Sequence, residues 1–123
     1  MSRILVVEDD QMIQKVYRNV LTKEGHEVEV ASDGREGLAK AEASEPDLII
    51  LDMLMPNMTG IEFLRAYDIA GRHPRVKVLA FSNTDHPGRV EEAMALGARK
   101  YMTKYQFSPK GLAAAVAELL ALP

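Results

Sequence analysis

The sequence predicts an α/β domain built on one doubly wound parallel sheet, and three observations carry that prediction. Apolar runs at residues 4–7, 48–51 and 76–81 have the length of strands. The first two lack the alternation that an exposed face would impose, and the third is broken only by Lys77, as expected of strands buried on both sides. Segments with the apolar spacing of helices separate these runs along the whole chain. Such alternation requires right-handed crossovers, parallel pairing and helices on both faces of the sheet. At 123 residues the chain makes one domain, 1–123, large enough for a single good core.

Ile4-Leu5-Val6-Val7 opens the sheet and ends in acids, Glu8-Asp9-Asp10. Ile13, Val16, Tyr17, Val20 and Leu21 then recur on one helix face, with Asp10 or Asp9 as cap and Gly25 as a left-handed stop. Val28-Glu29-Val30-Ala31 alternates, which suits a half-exposed strand at the sheet edge. Ser32-Asp33-Gly34 supplies turn and cap chemistry for a helix with Gly37, Leu38 and Ala41 inward. The central strand, Leu48-Ile49-Ile50-Leu51, closes on Asp52, and Pro56 and Gly60 interrupt the chain beyond it. One helix follows, with Ile61, Phe63, Leu64 and Ile69 apolar and His73-Pro74 as its stop.

Residues 76–81 form the fourth strand, ending at Ser82-Asn83-Thr84. Pro87 fits the first turn of a helix carrying Val90, Ala93, Met94 and Leu96, stopped by Gly97. Residues 100–104 make a last short strand. Ser108-Pro109 opens a final helix with Leu112, Ala115, Val116, Leu119 and Leu120 facing in. The count is five strands alternating with five helices.

Composition narrows the functions. A hydrophobic share of 47% with 27% charged residues is that of a globular chain rather than a disordered or fibrous one. No apolar run approaches the roughly 18 to 20 residues of a membrane span, and the start lacks the pattern of a signal peptide. The absence of cysteine rules out disulfides and thiolate metal sites and fits a reducing cytoplasm. A net charge of −3 exerts no general pull on nucleic acid. The expectation is a cytoplasmic protein, monomer or weak dimer, without direct nucleic-acid contact or membrane insertion.

The carboxyl ends of the strands are where open α/β sheets place their chemistry. Strand one brings Glu8 and Asp9 there, strand three Asp52, strand four Ser82 and strand five Lys104. Like charges roughly 4 Å apart repel by about 4 kcal/mol at an effective dielectric of about 20. One acid would therefore take up a proton unless a cation joined the group. Mg²⁺ fits, since it binds one or two carboxylates, keeps several waters and accepts phosphate oxygens. The set suits capture of a phosphoryl group by a carboxylate nucleophile, with the metal and Lys104 spreading the charge in transfer.

On these residues the chain resembles the response-regulator receiver domains of two-component signalling, the family typified by the bacterial chemotaxis regulator CheY. The resemblance rests on Ile4-Leu5-Val6-Val7-Glu8-Asp9, on Leu51-Asp52 with Pro56 and Gly60 four and eight residues on, on Ser82, and on Tyr101 with Lys104. It implies a flavodoxin-like fold with strand order 2-1-3-4-5, an order this family itself exemplifies. Asp52 would be the phosphoacceptor, served by a histidine kinase or histidine phosphotransfer protein. Asp9 would bind Mg²⁺ directly, Glu8 through water, and the main-chain carbonyl of Leu54 would be another ligand. Ser82 and Lys104 would contact phosphoryl oxygens, and Tyr101 would be the aromatic switch. The readout surface for a downstream protein would be the helix after Pro87, the strand at Tyr101 and the final helix. A receiver of this kind is a signalling module rather than an enzyme.

Three departures from the family pattern stand out. Tyr105 replaces the proline that usually follows the lysine in a cis bond. A cis bond costs about 2.5 to 4 kcal/mol before any other residue against about 0.5 to 1 before proline, so a trans Lys104-Tyr105 bond is expected. Asn83 is bulkier than the usual residue after the switch hydroxyl. Leu54 is apolar where some members carry a group that orients water, so a long-lived aspartyl phosphate is expected. Tyr105 and Asn83 favour one alternative, a pseudo-receiver that binds partners without phosphorylation. A phosphatase using Asp52 would need a second acid two residues on, where Leu54 stands. Asp10 is expected to be only a helix cap, and Met53, Met55 and Met58 to be packing residues rather than a metal cluster. His26, His73 and His86 lie on separate loops, which argues against a histidine metal site. With nothing following Pro123, the expectation is a stand-alone receiver or a piece cut from a longer regulator.

Overall fold

Five strands form one parallel sheet in a computed structural model of the chain, which describes residues 2–83, 86–104 and 107–123. They are β1 (Arg3–Val7), β2 (Glu27–Ala31), β3 (Leu48–Asp52), β4 (Lys77–Ser82) and β5 (Lys100–Thr103), in the order β2-β1-β3-β4-β5. The helices are α1 (Gln11–Lys23), α2 (Gly34–Ser44), α3 (Gly60–Tyr67), α4 (Ile69–Arg72), α5 (Pro87–Ala95) and α6 (Pro109–Leu120). The predicted class, strand order and edge position of β2 are all present.

Successive strand residues point to opposite faces, and each face is covered by its own layer. Leu5, Val7, Ile49, Leu51, Val78 and Ala80 pack with Ala41, Phe63, Leu64 and Ala93 from α2, α3 and α5. Ile4, Val6, Leu48, Ile50, Leu79 and Phe81 pack with Tyr17 and Leu21 of α1 and with Leu112, Val116 and Leu119 of α6. This double coverage explains why β1 and β3 do not alternate in sequence. β2 has a neighbour on one side only and alternates exposed with half-buried residues until Ala31.

The helix starts follow the sequence chemistry. The carboxylate of Asp10 accepts from the main-chain N–H groups of Met12 at 2.8 Å and Ile13 at 3.2 Å. Asp33 and Ser108 cap α2 and α6 in the same way, and Thr59 forms a capping box with Glu62. Gly25 and Gly97 hold φ of 90° and 111°, which other residues rarely adopt.

Three expectations need correction. The single helix expected after Gly60 breaks at Asp68, whose φ of 55° is left-handed and whose side chain caps α4 through Gly71. The break has a packing cause. Tyr67 and Ile69 are both buried, and residues two apart on an unbroken helix point in nearly opposite directions. Asp tolerates the left-handed region better than most residues. Val16 is 42% exposed rather than part of the core, and beside it Met12 is 77% exposed. β5 ends at Thr103, so Lys104 lies just past the strand. The Lys104-Tyr105 bond falls outside the described residues. Among the described residues no helix is long and apolar enough to cross a membrane.

Gly37 sets how closely α2 approaches the sheet. A Cβ there would lie 2.7 Å from both γ carbons of Val7, in a strand held between two others. Gly37→Ala would gain up to about 1 kcal/mol of helix propensity. Overpacking costs about 1 to 3 kcal/mol, and the interior strand has little room to yield. The expected net effect is a loss of about 1 kcal/mol in urea unfolding, where a surface glycine-to-alanine change in a helix would be stabilising.

Candidate functional site

β1 and β3 run side by side in register, Val7 beside Leu51. The next residue of each strand is therefore an acid placed next to an acid, Glu8 and Asp52. The ends are pinned by main-chain bonds: Glu8 N–H donates to the Ala31 carbonyl at 3.0 Å, and Met53 N–H to the Phe81 carbonyl at 2.9 Å. Glu8 and Asp52 are 1% and 3% exposed, and Asp9 sits at the open rim. One carboxylate oxygen from each of Glu8, Asp9 and Asp52 lies within 4.8 Å of the others.

Lys104 enters from the end of β5. Its Nζ stands 2.8 Å from Glu8 Oε1 and 3.1 Å from Asp52 Oδ2. Two main-chain donors complete the buried acids. Asp10 N–H donates to Glu8 Oε2 at 3.1 Å, and Leu54 N–H donates to Asp52 Oδ1 at 3.1 Å. Behind them, Gly60 N–H donates to the Met53 carbonyl at 3.1 Å. A Cβ on Gly60 would approach Met53 Cα to 2.7 Å. Only glycine lets the loop after Asp52 close this tightly.

The charges are not balanced. Burial pushes the Glu8 carboxyl up to about 7, against the pull of Lys104 and the Asp10 N–H, and the charge of Asp52 pushes the same way. Burial likewise raises Asp52, opposed by the Leu54 N–H and Lys104. Burial alone would lower Lys104, but its contacts with Glu8 and Asp52 hold it above its ordinary value. One ammonium thus serves two buried carboxylates, and Asp9 adds a third acid. An all-oxygen donor set with surplus negative charge is what a hard divalent cation such as Mg²⁺ requires.

The remaining predicted residues are placed less directly. Ser82 is the fully buried last residue of β4, one position past Phe81, which pairs with Asp52. Tyr101 is half-buried in β5 beside Ala80 and packs against the apolar layer under α5. Leu54 turns a 44% exposed side chain to solvent, and Asn83 is exposed. Asp10 is a cap, as expected. Met53 and Met55 are core residues, and Met58 packs against them.

Sequence reading missed three features. Gln14 donates from Nε2 to the main-chain carbonyl of Glu8, fastening α1 to the site. Its burial within a polar stretch leaves no pattern to find. Met12, Ile13, Val16, Tyr17 and Phe107 line an apolar groove that shares Lys104 with the site. The periodicity of α1 announced Ile13, Val16 and Tyr17 but neither Met12 nor Phe107, and not the exposure of Val16. At the opposite end of the sheet, His73 is buried with Nδ1 at 2.6 Å from Glu45 and Nε2 at 3.3 Å from Glu42, joining α2 to the end of α4.

Comparison with known proteins agrees with this geometry. The family model for the response regulator receiver domain matches residues 4–117. The alkaline phosphatase synthesis transcriptional regulatory protein PhoP of Bacillus subtilis is 36% identical over 119 residues, covering 97% of this chain and 48% of PhoP. Chemotaxis protein CheY of Thermotoga maritima is 31% identical over 104 residues, covering 84% of this chain and 85% of that protein. A crystal structure of a CheY-like response regulator receiver domain protein from Methanospirillum hungatei JF-1 matches with a TM-score of 0.90 at 31% identity, covering 98% of this chain and 94% of that one. The chain spans about half the length of PhoP.

Glu8 ties stability to pH. Its folded-state value of about 7 lies above the ordinary 4.5, so the folded chain holds a proton that the unfolded chain releases. Its contribution is therefore fully present below 4.5 and is lost as pH rises through about 7, amounting to on the order of 3 kcal/mol. Urea unfolding with divalent cations chelated is expected to show stability falling between pH 5 and pH 8. Glu8→Gln is expected to flatten most of that slope, and an unchanged slope would contradict the assignment.

Proposed function

The chain belongs to the response regulator receiver family, and from that premise we propose that Asp52 accepts a phosphoryl group from the phosphohistidine of a histidine kinase or histidine phosphotransfer protein. The observation that carries this reading is Lys104 seated between Glu8 and Asp52 inside a cluster of three acids. Asp52 Oδ attacks phosphorus, the bond from phosphorus to the donor's imidazole nitrogen breaks, and the imidazole leaves with the electron pair. Lys104 already lies within reach of Asp52 Oδ2 and follows the oxygens as charge passes to the acyl phosphate. The Leu54 N–H keeps the other oxygen, Oδ1, in place. Asp9 and Asp52, the main-chain carbonyl of Leu54 and, through water, Glu8 would hold Mg²⁺. When bound, that ion would neutralise the surplus negative charge and supply electrostatic stabilisation to the transferring group.

Ser82 then donates to a phosphoryl oxygen, and Tyr101 turns inward behind it. The new group brings roughly −1.5 to −2 charge and three acceptor oxygens to one spot. An arrangement that alone satisfies them gains population by its differential binding energy, and about 5.5 kcal/mol carries an equilibrium from 1:99 to 99:1. Two or three charge-assisted hydrogen bonds are of that size. The surface of α5, β5 and α6 would carry the change to a downstream protein. An ion pair from Arg65 of α3 to Glu92 fastens α5 on its other side. The donor would sit on the groove of Met12, Val16 and Phe107, because Lys104 lines both groove and site.

Incubation with acetyl phosphate and Mg²⁺, read by intact mass, tests this function. Wild type is expected to gain one phosphoryl group and Asp52→Asn none. A wild type that gains nothing would support instead a pseudo-receiver, the reading that Tyr105 and Asn83 suggest. Leu54 offers attacking water no polar guide, so the modified form is expected to last minutes or longer once acetyl phosphate is removed. Leu54→Glu is expected to shorten that lifetime several-fold, and decay within seconds in wild type would refute the role given to Leu54.

A further inference from the structure

Thr103 Oγ1 is buried, on a residue 3% exposed, and has no hydrogen-bond partner among the described residues. A buried hydroxyl left unpaired costs free energy that an apolar group of the same shape would not, and native proteins carry few of them. Its place is specific. Thr103 is the last residue of β5 and lies in register with Ser82, the last residue of β4. Neighbouring strands are about 4.8 Å apart, and register partners share a face. Val78 and Ala80 mark that face on β4, and Tyr101 marks it on β5. By alternation the hydroxyls of Ser82 and Thr103 lie on it together, one residue before Lys104 enters the site.

Ser82 has one proton to donate and two lone pairs that accept. In the phosphorylated state its proton goes to a phosphoryl oxygen, which leaves an acceptor beside Thr103. We propose that Thr103 is the positioning residue of Ser82: its O–H donates to Ser82 Oγ when Ser82 O–H donates to the phosphoryl group on Asp52. This rests on the receiver reading and deepens it. The bond aims Ser82, and successive hydrogen bonds polarise one another. It also gives the orphaned hydroxyl a partner in one state only. Thr103 thereby weakens the unphosphorylated arrangement and strengthens the phosphorylated one.

The test uses the full chain with Mg²⁺ and beryllofluoride, which adds to a carboxylate as a stable likeness of an acyl phosphate. Thr103→Val keeps the shape and removes the hydroxyl. The variant is expected to melt at the same temperature as wild type or higher without ligand, and to bind beryllofluoride about tenfold more weakly. Thr103→Ser is expected to restore binding. In a Ser82→Ala background, Thr103→Val is expected to add nothing, whereas a merely structural role would weaken binding equally with or without Ser82. Equal binding by wild type and Thr103→Val, or additive losses in the double variant, would overturn the proposal. A wild type that takes neither beryllofluoride nor phosphoryl from acetyl phosphate would overturn the receiver reading and this inference with it. A wild type that responds while Thr103→Val matches it would remove only the role of Thr103.

Discussion

The ammonium of Lys104, held between Glu8 and Asp52, is the contact on which the rest of the site depends. Two carboxylates that are almost wholly buried cannot both ionise side by side without a cation, because burial and mutual repulsion each favour the protonated form. Lys104 serves both, and among the described residues Asp9 has no ion-pair partner at the rim. An ion pair placed for stability alone would not be built this way, since desolvation offsets much of what a buried pair gains. The arrangement makes sense as a seat for further positive charge and for a group whose oxygens Lys104 can follow.

The sheet makes this concentration of charge affordable. Four strands deliver their last residues to one edge, and parallel register alone sets which side chains become neighbours. Val7 beside Leu51 places Glu8 beside Asp52, and Ser82 beside Thr103 places two hydroxyls on the opposite face. Two apolar layers, one on each side, hold the strands so that the edge cannot relax away from its own repulsion. Gly37 and Gly60 belong to the same design, allowing close approaches that a Cβ would block: α2 against Val7, and the loop after β3 against Met53.

Much of this was legible because strand burial and strand termination leave direct marks in sequence. A run such as Leu48-Ile49-Ile50-Leu51 followed by Asp52 fits little except a doubly covered strand ending at a polar edge. The caps at Asp10, Asp33 and Ser108 were equally readable, since their hydrogen bonds are local. What escaped was decided by tertiary packing. Asp68 breaks a helix because Tyr67 and Ile69 must both reach the core. Val16 has the spacing of a core residue but faces the groove beside Phe107. Gln14 and Thr103 act through burial and through register with distant residues, which no local pattern records.

The length of the acid at position 8 bears on how such a site would switch. Glu8 brings a carboxylate oxygen to 2.8 Å from Lys104 while its other oxygen holds the Asp10 N–H, so it claims the ammonium at least as firmly as Asp52 does at 3.1 Å. A phosphoryl group on Asp52 would have to compete with Glu8 for that ammonium. Glu8 is too buried to be left with an uncompensated charge, and its elevated value offers the way out. Either a proton or a divalent cation can take the place of Lys104. On the proposed function, therefore, release of Lys104 from Glu8 is part of the transition itself. On the same reading, metal occupancy and phosphoryl capture would be coupled through Glu8, whose carboxylate faces both Lys104 and the acid cluster.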